Sequence, residues 1–258
     1  MKTRQVNKFL FDHQISAVGW LYAWAIAITL VLPLVLALVT GTIGEFSFAK
    51  QVSDTPLGSL FGVFIFAISM LTYSDFKVLI QNGISRMTFF KSQVIVLLVL
   101  TLIGNTINLV YGYLTLPLTG DKNFNIFLTG YNDYFNNPIL AGIVNFLFSW
   151  LLLVALSMTG LAIGSLLSLF SKRNQRIILI AAPIALFVVL IFMGRTLAPS
   201  SRTVSWVADF TKFMIGWRDA KGVQPLTPWP LTVGSVVWAA LMAWFSRAMF
   251  ARKQLKRE

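Results

Sequence analysis

Asn105, Asn108 and Asn145 are the notable polar side chains inside long uncharged stretches of this chain. An amide at such depth has two uses: it hydrogen-bonds a neighbouring helix, or it lines a path for a polar solute. Little else in the sequence offers chemistry. With one histidine, His13, and no cysteine, the chain has no thiolate nucleophile, disulfide, cysteine metal site or multi-histidine metal centre. No carboxylate, Lys or Arg lies in the interior of an apolar stretch. That argues against a proton-coupled carrier, a pump with a buried acid relay and an intramembrane protease, all of which need ionisable groups at depth. Neither a GxxxxGK(S/T) phosphate loop nor GxGxxG occurs, so any ATP used is bound by another chain. The expectation is a protein that is not an enzyme and holds no metal or cofactor itself.

The elements that would position these residues are set by lipid. Six runs lack Asp, Glu, Lys, Arg and His, near 18–40, 55–74, 92–118, 138–171, 177–194 and 224–246. About 20 apolar residues span a bilayer core as a helix. The chain is 57% hydrophobic and 12% charged, with a mean hydropathy of +0.75, more apolar surface than a soluble domain of 258 residues can hide. In lipid only helices and closed barrels satisfy the backbone, and runs such as AIAITLVLPLVLALV do not alternate as barrel strands do. The fold class is therefore all-α: one polytopic membrane domain over 1–258 with six transmembrane helices. The polar first residues and the long first run do not read as a cleavable leader. Run 138–171 is about 50 Å as one helix, longer than the hydrocarbon core. One tilted or projecting helix fits better than two short spans and a hairpin, which would put the later charges on the wrong side.

Fourteen Lys and Arg fall in the N-terminal segment, the loops after the second and fourth runs, and the tail; seven fall in the alternate loops. This bias predicts both termini in the cytoplasm. The long loop after the fifth run carries five of those seven and runs mildly against it. A net charge of +12 beside membrane spans sets topology and meets anionic headgroups, so lipid and not nucleic acid is the expected contact.

Several pieces lie outside the spans. Val6, Phe9, Leu10 and His13 share one helical face, which predicts an amphipathic helix on the inner leaflet before span one. After span two, Phe76, Leu79, Ile80, Gly83, Ile84 and Met87 form an apolar face on a cytoplasmic helix. Gly83 can take the left-handed turn that ends it, and Ser85 can cap a following helix starting near Arg86. Trp206, Val207, Phe210, Phe213, Met214 and Trp217 form an aromatic stripe at helical spacing, read as an outer interfacial or re-entrant helix. Asn136–Asn137–Pro138 signals a turn before span four. Gly160 and Gly164 make a small-xxx-small step for close helix packing, within the chain or between chains. Pro33 and Pro183 can kink spans one and five.

The six-span plan, the N-terminal amphipathic helix and the stretch QNGISRMTFF together resemble the permease subunit of ABC-2 type bacterial exporters. Members often carry an N-G-x-S-R-x-x-F-F-like stretch between spans two and three, here Asn82, Gly83, Ser85, Arg86, Phe89 and Phe90. The resemblance implies that this segment, with the helix bearing Phe76, Leu79 and Ile80, docks onto a separate ATP-binding subunit that holds ATP and Mg. It also implies a second permease chain, identical or a sibling, and a multi-pass location in the bacterial cell membrane. The small size is most similar to the peptide-export or immunity branch. The competing expectation is a stand-alone membrane protein that sequesters an antimicrobial peptide without transport, using the outer Trp206–Trp217 helix.

Overall fold

The computed structural model describes residues 2–53, 55–119, 126–131, 134–171, 173–175, 177, 178, 180, 181, 184, 188, 205–218 and 226–252. Among them the regular structure is helical: α1 (Lys2–Ile26), α2 (Leu32–Thr40), α3 (Phe48–Ser53), α4 (Leu57–Met70), α5 (Tyr73–Gln81), α6 (Arg86–Thr119), α7 (Ile126–Gly130), α8 (Pro138–Leu167), α9 (Ser205–Ile215) and α10 (Trp229–Arg252). Five helical stretches of the described residues are long and apolar enough to cross a bilayer: Thr3–Thr40, Phe48–Gln81, Arg86–Leu116, Pro138–Leu167 and Trp229–Arg252. The expected span at 177–194 lies for the most part outside the described residues, as does Pro183.

The first span is not preceded by a separate surface helix. Helix runs from Lys2 to Thr40, with one π-helical turn at Ala27–Val31. No proline interrupts the chain before Pro33, so nothing ends the helix at the membrane boundary. The inward stripe is Val6, Leu10, Gln14 and Val18, while Phe9 and His13 face outward. The expected face of Val6, Phe9, Leu10 and His13 is thus rotated, because Gln14 meets Gln93 of α6 in a buried amide pair at 3.1 Å. The π-turn follows from Pro33, which has no N–H for the Thr29 carbonyl and whose ring crowds the preceding turn. There Leu32 N–H reaches the Ala27 carbonyl, and Thr29 Oγ1 donates to Ala25 at 2.6 Å.

α8 is a single helix of 30 residues, about 45 Å long at the usual rise. It ends at Leu167, a turn short of the expected limit at Ser171. Asn137 caps its start, accepting from Ile139 N–H at 2.9 Å and Leu140 N–H at 3.4 Å, with Pro138 in the first turn, where a missing N–H costs nothing.

α8 is the axis of the bundle and packs against α10, α4 and α6. A Cβ on Gly160 would lie 2.4 Å from the Phe66 carbonyl oxygen, and one on Gly164 2.2 Å from that of Met70. The glycine step therefore packs within the chain, against the backbone of α4. Ser157 and Ser165 continue the same small, buried seam.

One apolar cluster joins Val6 and Leu10 of α1 to Phe76, Phe89 and Phe250 at the end that carries most of the positive charge and runs on into the bundle through Phe61, Leu100 and Leu161. A smaller one at the opposite end gathers Phe127, Leu128, Tyr131, Val144 and Phe148.

Gly164→Ala should lower the thermal unfolding midpoint in mild detergent, since overpacking costs about 1–3 kcal/mol. Gly142→Ala, on the same helix with open space around it, should leave the midpoint unchanged or raise it, because alanine is the better helix former.

Candidate functional site

The turn between α5 and α6 is built by two capping devices in succession. Gly83 has φ +76°, a left-handed conformation natural to glycine. Its N–H donates to the Ile80 carbonyl at 3.0 Å, and Ile84 N–H donates to that of Leu79 at 3.1 Å. These are the paired bonds of a Schellman stop, completed by the apolar Leu79 and Ile84 in one cluster. Asn82 Nδ2 donates to the Val78 carbonyl at 2.8 Å. Two residues later Ser85 Oγ accepts from Thr88 N–H at 3.1 Å and opens α6. The expected stop at Gly83, cap at Ser85 and helix start at Arg86 all stand.

Beneath the turn the aromatics point inward. Phe76 meets Phe89 edge-on at 5.3 Å between centroids. Phe250, from the last turn of α10, sits 5.6 Å from Phe76, 5.5 Å from Phe89 and 5.9 Å from Phe90. Phe76, Phe89 and Phe250 are fully buried, and Leu79 and Phe90 nearly so. Of the covers open to this apolar face, lipid, its own bundle or another protein, the chain's own bundle takes Phe76, Phe89 and Phe90 through Phe250, and Leu79 is buried in the same cluster. Burying a large apolar side chain gains about 1.5–3 kcal/mol, and a ring already within reach takes that gain. The outward face consists of Val78, Gln81, Asn82, Gly83, Ser85 and Arg86, with Ile80 half-buried. Phe250, placed in a basic tail segment, is the residue that helical spacing in the loop had no means to reveal.

Arg86 links the same two elements. Its Nη1 donates to the Ala251 carbonyl at 3.0 Å. That carbonyl is one of the last four of α10, which have no intrahelical partner, and it lies at the negative end of the helix dipole. The contact offsets the unfavourable position of a guanidinium at the positive, N-terminal end of α6. Close by, His13 Nε2 lies 4.0 Å from Asp75 Oδ1.

The three intramembrane asparagines tie helices together. Asn105 Nδ2 donates to the Phe146 carbonyl at 3.0 Å, joining α6 to α8. Asn145 Nδ2 donates to Tyr113 Oη at 2.9 Å, and Asn145 Oδ1 accepts from Ser149 Oγ at 3.2 Å. Asn108 Oδ1 accepts from Tyr22 Oη at 3.0 Å, joining α6 to α1. The contacts they make are interhelical, while Asn108 Nδ2 is buried with no hydrogen-bond partner among the described residues. Indole donors add further ties, Trp150 to Thr101 at 3.2 Å and Trp238 to Thr159 at 2.9 Å.

At the opposite end α9 stops in a second Schellman turn at Gly216, φ +74°, with Trp217 N–H on the Lys212 carbonyl at 2.8 Å. Thr227 N–H and Tyr131 Oη hold that turn, on the carbonyls of Gly216 and Ile215. The guanidinium of Arg218 lies 5.7 Å from the ring centre of Tyr134. Of the expected stripe, Phe210, Phe213 and Trp217 are exposed and Met214 is half-buried; the side chains of Trp206 and Val207 lie outside the described residues.

Among the described residues no group of three or more His, Cys, Asp or Glu is placed to hold a metal ion. What the site offers is mechanical: a capped, aromatic-filled turn joined to the end of α10. No protein-family model, curated protein or solved structure matches the chain.

Ser85→Ala should weaken the start of α6 by about 1 kcal/mol, and Gly83→Val should cost about 1–2 kcal/mol for a side chain in the left-handed region. Amide exchange should then speed up across Arg86–Phe90 and stay unchanged in the middle of α8.

Proposed function

We propose that this chain is the permease subunit of an ATP-binding-cassette exporter in a bacterial cell membrane. It would act with a separate ATPase subunit carrying ATP and Mg, and with a second permease chain. The observation that carries the reading is the α5–α6 turn. It is a stiff element with a polar outward tip, at the same end of the bundle as the first residues of α1 and the last of α10. A docking element that transmits force needs this combination: a rigid interior, so that a push is not absorbed, and an outer face that another protein can grip. The Lys and Arg of that end, among them Arg4, Lys8, Lys91, Arg247 and Arg252, fit a cytoplasmic position under the positive-inside rule. Both termini would then be cytoplasmic, and a sixth span at 177–194, mostly outside the described residues, would complete the even number this requires.

In this reading the grip belongs to Val78, Gln81, Asn82 and Ser85, with Arg86 at its edge; Phe76, Leu79, Phe89 and Phe90 act from within by keeping the turn stiff. ATP binding would favour one arrangement of the ATPase pair, and its differential affinity for two states of the bundle would drive the switch. Gly160 and Gly164 hold α8 to α4 within one chain, so the contact between two permease chains falls on other surfaces.

A second reading, a stand-alone membrane protein that binds an antimicrobial peptide, draws on the exposed Phe210, Phe213 and Trp217 of α9. Purification in mild detergent separates the two. A stoichiometric ATPase subunit that copurifies supports the permease; its absence, with retention of a peptide, supports the binder. In the reconstituted complex Val78→Glu and Arg86→Glu should each abolish stimulated ATPase activity while membrane insertion stays intact. Unchanged stimulation in both would remove the docking assignment.

A further inference from the structure

The neighbours of the α5–α6 turn in sequence are α5 and α6, yet its side chains also engage the far end of the chain. Phe250 stands at ring distances of 5.5–5.9 Å in a cage whose other members are Phe76 of α5 and Phe89 and Phe90 of α6. Its exposure is 0%. One residue on, the Ala251 carbonyl is held by Arg86 at 3.0 Å. One turn earlier Ser246 is also fully buried, so the inward face of α10 continues from the plug into the bundle. Farther along, α10 packs on α8 and ties to it through Trp238 and Thr159.

We propose that Phe250 and the Arg86–Ala251 bond make α10 the output element of the turn, so that displacement of Gln81–Phe90 is delivered to the last helix as well as to α6. Packed rings transmit displacement because the interior around them has no room to compress. The Arg86 bond adds direction, since it resists separation of the α6 start from the α10 end, whereas the rings resist approach. Phe250 is in this sense a positioning residue: it touches neither partner nor solute and acts through α10. By reciprocity, anything that holds the α10 end fixed alters the affinity of the turn for whatever docks on it. The inference deepens the permease reading and rests on it for the identity of the driving partner, but not for the mechanical link itself.

The absence of native cysteine allows a single spin label at Gln81→Cys in the full chain, reconstituted in lipid. With Phe250→Ala the label, read in the chain by itself, should gain a mobile spectral component; in the separate unlabelled Phe250→Ala complex, with Gln81 native, the copurifying ATPase subunit stays bound, keeps its basal rate and loses its stimulation. A purely structural role for Phe250 would lower yield or binding and leave the ratio of stimulated to basal rate unchanged. If no ATPase subunit copurifies with the unaltered chain, the permease reading fails, and the label alone then decides the link. An unchanged spectrum in Phe250→Ala overturns the proposal in either case, as does unchanged stimulation where the ATPase is present. Should Phe250→Ala not reach the membrane, Phe250→Leu keeps the seat apolar, removes the ring contacts and is judged by the same two readouts.

Discussion

Lipid removes the usual reason for helices to associate, because an apolar side chain gains little by leaving hydrocarbon for a helix interface. What remains is close approach and polar bonding, and the bundle is organised around both. Gly160 and Gly164 let α8 meet the carbonyls of Phe66 and Met70 at distances no side chain would allow. Gly104 likewise leaves room for the ring of Phe61, which would lie 2.0 Å from a Cβ at that position. These contacts fix α4, α6 and α8 against one another, α10 packs extensively along α8 with an indole bond to Thr159, and α1 is tied to α6 by amide and hydroxyl bonds. Each such bond contributes only about 0.6 kcal/mol on average. The specificity therefore comes from where the bonds fall along rigid helices more than from their strength.

The two ends of the bundle meet water and are built differently. There burial is again favourable, and both ends are closed by aromatic clusters. At the basic end the cluster draws on α1, α5, α6 and α10, elements far apart in sequence, and it continues inward along α4 and α8. At the opposite end it draws on α7, α8 and the segment entering α10, and it is stitched by backbone bonds such as Thr227 N–H to Gly216. Left-handed glycines stand at both, Gly83 in one and Gly216 in the other, because a helix that must reverse within two residues needs a position free of a Cβ.

Much of this was legible in the sequence where a local rule decides the outcome. A serine before Arg86, a glycine two residues earlier and an Asn–Pro pair before Ile139 each act on their own helix end, and the caps form where those residues stand. Span positions follow from hydropathy for the same reason, since the competitor is lipid and lipid is everywhere. The occupants of faces are another matter. Helical spacing marks Phe76 and Leu79 as one apolar face but is silent on whether lipid, a partner or the chain itself covers it; Phe250 lies 160 residues or more from the first Phe–Phe contacts it completes. The same holds for α1. The face of Val6, Phe9, Leu10 and His13 reads by composition as one side laid on the inner leaflet, yet Val6 and Leu10 turn into the bundle beside the buried Gln14–Gln93 pair while Phe9 and His13 face out.

The long first helix shows how a breaker inside a membrane is absorbed. Pro33 leaves the carbonyl four residues back without its usual donor, a cost that lipid does not relieve with water. The π-turn at Ala27–Val31 answers by shifting the bonding pattern one residue, so that the chain continues as helix to Thr40. Below the turn α1 is held at two levels, by Gln14 on Gln93 and by Tyr22 on Asn108. Above it α2 turns most of its side chains outward, with Ala37 its one buried residue. The π-turn thus stands where a tied half of the helix passes into a half that packs mainly against lipid.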